Sequence, residues 1–340
     1  MNDALKSETR RLEQSWDRHD ERWLQDYLVG SVEDPRLNVQ SVLTRHFLIE
    51  AATGLRWAGL MEAELRFAIC LTWLVKQIEL GAGPEDFAAI RHALARGADN
   101  AEGTPLPVYL TPTRAGLPAD LPGLRVPDYL EPLLGWLAEQ PNPGLARAPG
   151  TGAFAALWRR QLASRPTDRL RVLEAACGSA NDFRAMVDCG LADWLDYRGF
   201  DLCAKNVANA RRLFPEARFE IANVFAIPAE DRAHDFVFTH DLLEHLSPEG
   251  RRQALRELCR VTRRALSIGC FNMHEEAASI IRPVENYHWN TLSVAEVRAE
   301  IEAHGLRVQV INIAAFLEAA FGCTDTHNRK AYTLRGYRDP

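Results

Sequence analysis

The second half of the chain alternates short apolar runs with amphipathic ones. The apolar, β-compatible runs cover residues 171–175, 196–201, 217–223, 234–240, 265–271, 306–313 and 331–337. Helical patterns separate most of these runs. Ser247 with Pro248 marks the start of one helix, and Ser293 with Glu296 marks the start of another. Strands and helices that alternate in units of this length predict a mostly parallel sheet with helices on both faces.

The first hundred residues predict helices only. Residues 7–28 are charged with a thin apolar stripe, which is typical of a helix on the surface or against a partner. Residues 42–80 are apolar almost all round and should be buried, with Gly54 and Gly59 dividing them into two helices. A further helix is expected at 84–96, with its proline in the first turn.

The segment from 104 to 150 differs from both halves because it contains ten prolines. Proline at this density prevents long helices and central strands, so only one short helix, at 129–139, is expected there. We therefore predict a helical domain at 1–103, a proline-rich arm or linker at 104–150 and an α/β domain at 151–340. The helical domain would serve as a lid over a substrate or as a dimerisation surface.

The composition is that of a globular protein, with 47% hydrophobic and 25% charged residues. A net charge of −6 argues against a nucleic-acid partner, which normally selects a basic surface. The longest apolar run, at 67–75, is far shorter than a membrane span, and the first residues lack the layout of a signal peptide. The seven cysteines have no metal-binding spacing. We expect a cytoplasmic protein without a membrane partner or a bound metal.

Polar or small residues follow the first four predicted strands at their carboxyl ends. The first strand runs into a turn of small residues at 176–180, and the second ends at Asp201. Asn223 closes the third, and His240 with Asp241 closes the fourth. Small residues at a strand-to-helix turn let backbone N–H groups approach a ligand closely. In open parallel sheets the ligand lies beyond these strand ends, so the sequence predicts a nucleotide-type site there.

These strand ends, in this order, resemble those of the class I S-adenosylmethionine-dependent methyltransferases. Those enzymes have an acidic residue and a glycine turn after strand 1, an acidic residue closing strand 2, Asp or Asn closing strand 3 and an E-H-L-type segment after strand 4. The resemblance covers the chain from about residue 169 onward. It implies a Rossmann-like doubly wound sheet of seven strands with the last strand antiparallel, and S-adenosyl-L-methionine as the cofactor.

The same resemblance assigns roles at the cofactor site. Asp201 would accept hydrogen bonds from the ribose hydroxyls, and Glu174 would orient the groups that bind the amino end. Asn223 and the Val224 N–H would contact the adenine, while Gly178 would let the backbone approach the methionine end. The full set of expected cofactor residues is Glu174, Ala176, Gly178, Asp201, Asn223, Val224 and His240.

Two departures from the family pattern affect the turn after strand 1. Alanines, Ala176 and Ala180, replace the outer glycines, and the acidic residue is Glu174 rather than Asp. Alanine disfavours positive φ, so we expect the turn to avoid left-handed geometry at both alanines. Because of these departures, a weakened cofactor site stays open as an alternative. A Rossmann dehydrogenase is a poorer match, because Ala176 and Asn181 occupy two of the three glycine positions of its motif.

The acceptor end is predicted from residues near the same strand ends. The candidate general bases are His240, His245 and His288, and the candidate substrate contacts are Asp241, Asn272, His274 and Tyr287. A purely structural role is the alternative for each histidine: His245 would pack against its helix and His288 would hydrogen-bond within its loop. Glu8 and Arg11 would form an exposed helix pair.

The sequence therefore predicts a methyltransferase that acts on an O or N atom of a small molecule by in-line displacement. Two alternatives stay open: methylation of a peptide or protein, and a non-catalytic protein that binds the cofactor. The apolar helices of the first domain would suit a homodimer, although burial within one subunit explains their pattern equally well.

Overall fold

The computed structural model describes residues 1–26, 38–83, 85–90, 107–110, 151–163 and 169–338, together with Pro35 and Gly135. Most of the predicted proline-rich arm, including its helix at 129–139 apart from Gly135, lies outside the described residues. Residues 84 and 91–96 of the predicted third helix also lie outside them, whereas residues 85–90 are helical.

The described elements are helices in the first part of the chain and alternating strands and helices in the second. The helices are α1 (Asp3–Asp17), α2 (Glu21–Asp26), α3 (Val39–Thr53), α4 (Ala58–Glu79), α5 (Thr151–Gln161), α6 (Asn181–Asp188), α7 (Ala204–Leu213), α8 (Pro248–Val261), α9 (Val294–Glu302) and α10 (Ile313–Phe321). The strands are β1 (Leu170–Ala175), β2 (Leu195–Asp201), β3 (Arg218–Ile221), β4 (His234–His240), β5 (Thr262–Cys270), β6 (Met273–His274), β7 (Pro283–Val284), β8 (Tyr287–His288), β9 (Leu292–Ser293), β10 (Arg307–Asn312) and β11 (Tyr332–Tyr337). Short 3-10 helices cover Val108–Leu110, Leu191–Trp194 and Leu243–His245.

Seven strands form one sheet in the order β10-β11-β5-β4-β1-β2-β3. β11 pairs antiparallel with both β10 and β5, and the other pairs are parallel. The predicted seven-stranded Rossmann-like sheet with its last strand antiparallel is confirmed. The strand order reverses between β1 and β4, which places the topological switch point at the ends of these two strands.

Alternate residues of the central strands pack on opposite faces of the sheet, as the pleat requires. Val172 and Phe236 belong to a buried cluster that continues into α3 and α4. Leu173 and Val237 belong to a second cluster with α8 and α9. Because both faces are covered, the strands read as nearly continuous apolar runs in the sequence.

The first-part helices share a core with the sheet. Phe47 of α3 lies edge-on to Phe236 of β4 and to Tyr337 of β11, with ring centroids 5.3 and 5.0 Å apart. Gly54 ends α3 with φ +72°, so the predicted division of the 42–80 segment lies at this glycine. The division of the chain into domains at 103 and 150 stays a prediction. No helix within the described residues has the length and hydropathy of a membrane span.

The predicted single helix at 7–28 is wrong, because α1 ends at Asp17 and α2 begins at Glu21. The Nζ of Lys205 in α7 lies 2.7 Å from the Asp17 carbonyl oxygen and 2.9 Å from that of His19. This lysine satisfies carbonyls that lack helical partners at the end of α1 and so stabilises the break.

The predicted exposed Glu8–Arg11 pair is also wrong. Arg11 is exposed, but Glu8 is buried and accepts hydrogen bonds from the Ser247 backbone N–H at 2.6 Å and from its hydroxyl at 2.5 Å. Its carboxylate lies at the amino terminus of α8, where a negative charge is favoured by the helix dipole. Glu8 therefore fixes α1 against the second part of the chain.

Candidate functional site

A cavity of about 690 Å³ lies at the carboxyl ends of β1, β2 and β4, next to the switch point of the sheet. It is lined by all seven residues predicted to bind the cofactor, namely Glu174, Ala176, Gly178, Asp201, Asn223, Val224 and His240. Residues of α1 and α2 line its other side. The predicted position of the site therefore coincides with a cavity that the first helices partly cover.

The turn after β1 adopts left-handed geometry at Ala176, Gly178 and Ala180, with φ of +57°, +52° and +65°. The expectation that the two alanines avoid positive φ is wrong. The turn must reverse within a few residues: the Cys177 N–H donates to the Phe200 carbonyl, and the Ala180 N–H donates to the Cys177 carbonyl, both at 2.9 Å. Left-handed backbone costs a residue with a Cβ roughly 1–2 kcal/mol, so the alanines store strain beside the cavity.

Asp201 at the end of β2 fixes the turn from the neighbouring strand. Its Oδ2 accepts the Gly178 N–H at 2.9 Å, and its Oδ1 accepts the Cys203 N–H at 2.8 Å. The Asn206 amide lies 3.4 Å from the same Oδ1. Burial raises the pKa of Asp201, although these hydrogen bonds act in the opposite direction. Each carboxylate oxygen can accept more than one hydrogen bond, so the aspartate can bind a ligand hydroxyl while it holds the turn.

Three carboxyl groups line the cavity within a small region. Glu174 is buried on β1 and accepts a short hydrogen bond from the Tyr197 hydroxyl. Burial raises the pKa of Glu174 well above its usual value, and repulsion from Asp182 and Asp201 adds to this shift. A cluster of acidic groups in a buried place favours a cationic ligand, because the positive charge would relieve the repulsion.

His240 connects this acidic region to the first-part helices. Its Nδ1 lies 3.1 Å from Asp182 Oδ2, and its Nε2 lies 3.0 Å from the Thr44 hydroxyl of α3. Thr44 is in turn 3.1 Å from the Ser267 hydroxyl of β5. Burial lowers the pKa of His240, but attraction to the Asp182 carboxylate outweighs this and raises it. Both ring nitrogens are thus engaged within the protein, so His240 joins α3 to the sheet.

Asn223 lies beside the cavity with partners for both ends of its amide. Its Oδ1 accepts the Phe225 N–H at 2.9 Å, and its Nδ2 lies 2.7 Å from the Thr9 hydroxyl of α1. These bonds hold α1 over the loop after β3. The predicted contact of Asn223 with adenine would therefore use the second acceptor position of its oxygen.

The residues of α1, α2 and the link between them that line the cavity were missed by the sequence analysis. They include Trp16, Arg18, His19 and Trp23, with the His19 and Trp23 rings stacked at 3.8 Å. The only signal was the thin apolar stripe of this segment, which indicates that a helix is covered but not what covers it.

An aromatic cluster forms another part of the cavity wall. His245, Phe271, Tyr287 and Trp289 all line the cavity, with ring centroids between 5.2 and 6.5 Å apart. His245 and Tyr287 were predicted to lie at the acceptor end. Phe271 was missed, because an aromatic residue that ends an apolar strand reads as part of the core.

Asn272, His274 and His288 are not among the residues that line the cavity. The Asn272 amide donates to the Asn290 carbonyl at 2.8 Å, and the His274 ring accepts the Glu276 N–H at 3.1 Å. His288 offers its backbone carbonyl to His245 at 3.2 Å, and burial lowers the pKa of its own ring. In this structure these three residues organise the loops around the aromatic cluster.

One comparison with known proteins gives a match that includes the strand ends around the cavity. Residues 172–265 match a family model described as a methyltransferase domain. None of the curated proteins matches the sequence. The match spans the cavity-lining ends of β1, β2 and β4 and the loop after β3. Residues 172–265 are a methyltransferase domain. The predicted resemblance to the class I S-adenosylmethionine-dependent enzymes is thus confirmed, and the family match agrees with the predicted cofactor.

Several solved structures are similar to this chain at low identity. A Burkholderia thailandensis 1,6-didemethyltoxoflavin N1-methyltransferase with bound S-adenosylhomocysteine is 13% identical, with a TM-score of 0.40 over 68% of this chain and 95% of that one. The [4+2]-cyclase SpnF is 16% identical, with a TM-score of 0.39 over 62% and 93%. The Synechocystis magnesium protoporphyrin IX methyltransferase is 16% identical, with a TM-score of 0.36 over 54% and 77%. Likeness at this distance carries no activity from those proteins to this one.

The groups that line the cavity can be compared with what the predicted cofactor would need. Asn181 is buried and lines the cavity, and within the described residues its Oδ1 has no hydrogen-bond partner. A Cβ placed on Gly178 would meet no atom within 4 Å, so the turn leaves room above it. An unpaired acceptor, open space and a set of carboxyl groups fit a ligand with an ammonium group and a sulfonium. No group of three or more metal-ligating side chains occurs in the described part of the chain.

Proposed function

We propose that this protein transfers a methyl group from S-adenosylmethionine to a small molecule, at an O or N atom. The observation that carries the proposal is the partly covered cavity at the strand ends of the methyltransferase domain. It brings together the predicted cofactor residues on one side and an aromatic wall on the other. A cavity of about 690 Å³ is of the size that ligand pockets usually have.

The cofactor would lie along the ends of β1 and β2. Glu174 and the Asn181 oxygen would receive its ammonium group, because both are buried and both can accept hydrogen bonds. Asp201 would accept the ribose hydroxyls. Val224 and Phe225 line the cavity near the end of β3, where they would hold the adenine.

When bound, the cofactor supplies an electrophilic methyl group on a positively charged sulfur. The chain contributes position and exclusion of water: α1 and α2 cover the cavity, and the aromatic wall restricts the orientation of the acceptor. Fixed orientation of two reacting groups can contribute roughly 7–11 kcal/mol to the lowering of a barrier.

Among the predicted bases, His245 has the best placement. It lines the cavity, and its Nδ1 lies 3.2 Å from the His288 carbonyl oxygen, to which it donates. Its Nε2 is then the nitrogen that can accept a proton. His240 would act instead as a positioning residue, since both of its nitrogens are engaged.

Calorimetric titration with S-adenosylhomocysteine tests the cofactor part of the proposal. We expect one site per chain, and a panel of metabolites incubated with S-adenosylmethionine should give a singly methylated product by mass spectrometry. No heat of binding with the intact protein would overturn the proposal. Tight binding without any methylated product would favour the non-catalytic alternative. The two alanines in the turn after β1 are the reason for considering this alternative.

Methylation of a peptide or protein receives less support, because such an acceptor needs an open groove beside the methyl group. Here α1 and α2 lie over the cavity, and Glu8 anchors α1 through two hydrogen bonds. This partial cover suits a small acceptor better.

We also propose a monomer rather than the homodimer considered from the sequence. The apolar residues of α3, among them Val42, Leu43 and Phe47, are buried within the single chain. Their burial explains the apolar pattern without a partner. Light scattering should give the mass of one chain. A mass of two chains would support the homodimer instead.

A further inference from the structure

The aromatic cluster of the cavity wall is built from three separate segments. His245 belongs to the 3-10 helix after β4, Phe271 follows β5, and Tyr287 and Trp289 lie in the loop around β8. The ring centroids of His245 and Trp289 are 5.4 Å apart, and those of Phe271 and Trp289 are 5.2 Å apart. Rings at such distances form a continuous apolar surface with defined faces and edges.

Buried polar groups hold these rings in place. The Glu244 carboxylate accepts the Phe271 N–H at 2.9 Å. Asn290 is buried beside Trp289, and its amide donates to the Leu246 carbonyl at 2.7 Å, while its own N–H donates to the Glu244 carbonyl at 2.9 Å. The wall is thus preorganised before any acceptor arrives, which reduces the entropy that binding must overcome.

Trp289 nevertheless remains 42% exposed, although it lines the cavity. A tryptophan that is held rigidly and left open at a cavity presents a flat face to a ligand. The rings of Trp16 in α1 and of His19, which follows this helix, line the same cavity. Aromatic groups on two sides suit a planar acceptor.

Asp241 contributes a carboxyl group to this end of the cavity. It lines the cavity at the end of β4, in left-handed conformation with φ +52°. Its N–H donates to the Gly269 carbonyl of β5 at 2.9 Å, which brings it to the strand end that precedes Phe271. Non-glycine residues held in this conformation cluster at functional sites. Arg18, which follows α1 and also lines the cavity, lies 3.4 Å from Glu285 and is partly neutralised by it.

This charge balance distinguishes oxygen from nitrogen acceptors. A phenolic oxygen becomes a good nucleophile when it loses its proton, and the resulting anion would be repelled by Asp241 and by the nearby carboxyl groups. A nitrogen attached to an aromatic ring attacks through its lone pair while it is neutral. Its N–H would also donate to the Asp241 carboxylate.

We infer that the acceptor is a planar aromatic compound that is methylated on nitrogen, held against Trp289 and oriented by Asp241. The inference rests on the proposed methyl transfer. In the reaction the nitrogen lone pair forms a bond to the methyl carbon, and the carbon–sulfur bond breaks with its electron pair remaining on sulfur as a neutral thioether. The proton on nitrogen passes to Asp241 and from there to solvent.

Binding of three probes to the full chain, with and without saturating S-adenosylhomocysteine, tests the inference. The probes are 4-aminoquinoline, which is planar with N–H donors, quinoline-4-carboxylate, which is planar and anionic, and cyclohexylamine, which is an amine without a planar ring. We expect the aminoquinoline to bind at least about tenfold more tightly than either of the others, because only it satisfies both the rings and the carboxylate.

Variants assign this preference to the named residues. Trp289→Ala should weaken aminoquinoline binding about tenfold, and Trp289→Phe should retain most of it. Asp241→Asn should reduce the preference for aminoquinoline over the carboxylate about tenfold while the planar ring still binds. Ile281→Ala is the matched control, since Ile281 is exposed in the same loop and does not line the cavity.

Equal binding of all three probes, no binding of the aminoquinoline, or unchanged affinity in Trp289→Ala would each overturn the inference. The titration with S-adenosylhomocysteine separates this result from the proposed function. If the cofactor product binds but the planar amine does not, the acceptor class is wrong and the methyltransferase proposal stands. If the cofactor product does not bind, the proposed function fails whatever the probes show.

Discussion

The two ends of the cavity are constructed in different ways. At the cofactor end, Glu174, Asp201 and Asn223 lie at the ends of adjacent strands, and hydrogen bonds to backbone groups fix the Asp201 and Asn223 side chains. At the acceptor end, rings from a 3-10 helix, a strand end and a long loop meet with helices from the beginning of the chain. The carboxyl ends of parallel strands lie at the same edge of the sheet because the strands pair in register. The positions of the loops are not fixed by strand pairing.

This contrast separates what is shared by a fold from what is particular to one protein. The strand ends carry the methyltransferase pattern that the family model matches over residues 172–265. The helices α1 and α2 and the loop with Tyr287 and Trp289 lie outside that range. Substitutions at the cofactor end should therefore weaken binding of the cofactor product, and substitutions at the acceptor end should weaken binding of the acceptor.

The largest effect is expected for Asp201→Asn. The amide can no longer accept hydrogen bonds on both sides, so either the Gly178 or the Cys203 N–H loses its acceptor. Affinity for S-adenosylhomocysteine should fall roughly 10- to 100-fold in calorimetry, since hydrogen bonds to a charged group contribute about 1.5–3 kcal/mol. Binding of 4-aminoquinoline should change less than threefold in the same variant.

Asp196→Asn is the control for that experiment, because Asp196 is exposed at the opposite end of β2. It should leave both affinities unchanged. If Asp201→Asn weakened the binding of both ligands equally, the two ends of the cavity would be one cooperative unit. The difference between the two ends would then not hold.

Glu8→Ala should lower the free energy of unfolding by about 2 kcal/mol, because the Ser247 N–H and hydroxyl lose a charged partner. Since α1 reaches both ends of the cavity through Thr9 and Trp16, both ligands should bind more weakly. Urea denaturation and hydrogen exchange across α1 provide the measurement. Glu13→Ala, at an exposed position of the same helix, should change stability by less than about 0.5 kcal/mol; the same loss there would contradict the anchoring role of Glu8.

The His240–Asp182 pair should make stability depend on pH. Attraction to Asp182 raises the pKa of His240 against the effect of burial, and His240 in turn lowers the pKa of Asp182 although burial raises it. Asp241 also raises the histidine pKa, and Arg45 lowers it. The contribution of the histidine is complete below its usual pKa of 6.5 and is lost as pH rises through the raised value. That of the aspartate is complete above 3.8 and is lost as pH falls through the lowered value.

The difference in unfolding free energy between the wild type and Asp182→Asn should therefore be greatest between pH 3.8 and 6.5, at about 2 kcal/mol, and decline on either side. Urea denaturation over this range measures it. A difference that stays constant from pH 5 to 9 would show that the pair is not ionised as described.

The smallest effect is expected in the turn, where Ala180→Gly should stabilise the protein by about 0.5 kcal/mol. Relief of the left-handed strain outweighs the extra freedom that glycine brings to the unfolded chain. Ala208→Gly in the exposed middle of α7 is the matched control and should destabilise by about 1 kcal/mol. Similar losses in both variants would contradict the left-handed geometry at Ala180. Ala180 lies at the cofactor end only, so this variant leaves the acceptor end of the cavity unchanged.

The sequence predicted the sheet well because its signals are local. The predicted run at 234–240 coincides with β4, and Ser247 caps α8 with its hydroxyl accepting the Gly250 N–H at 2.9 Å. It predicted the conformation of Ala176 and Ala180 wrongly, because propensity favours negative φ while the closure of the turn onto Phe200 requires the opposite. It also placed Glu8 in solvent, since a helix pair gives no sign of a distant Ser247.

By itself the sequence determined the succession of strands along the chain, the residues at the strand ends and hence the kind of cofactor site. This was possible because hydrophobic alternation, helix caps and turns depend on residues that are neighbours in the sequence. Only the tertiary structure decided that α1 and α2 cover this site, that His240 binds Thr44 rather than standing free, and that Trp289 joins Phe271 at the acceptor end. These contacts join residues far apart in the chain, and their existence depends on how loops and helices pack, which no local pattern specifies.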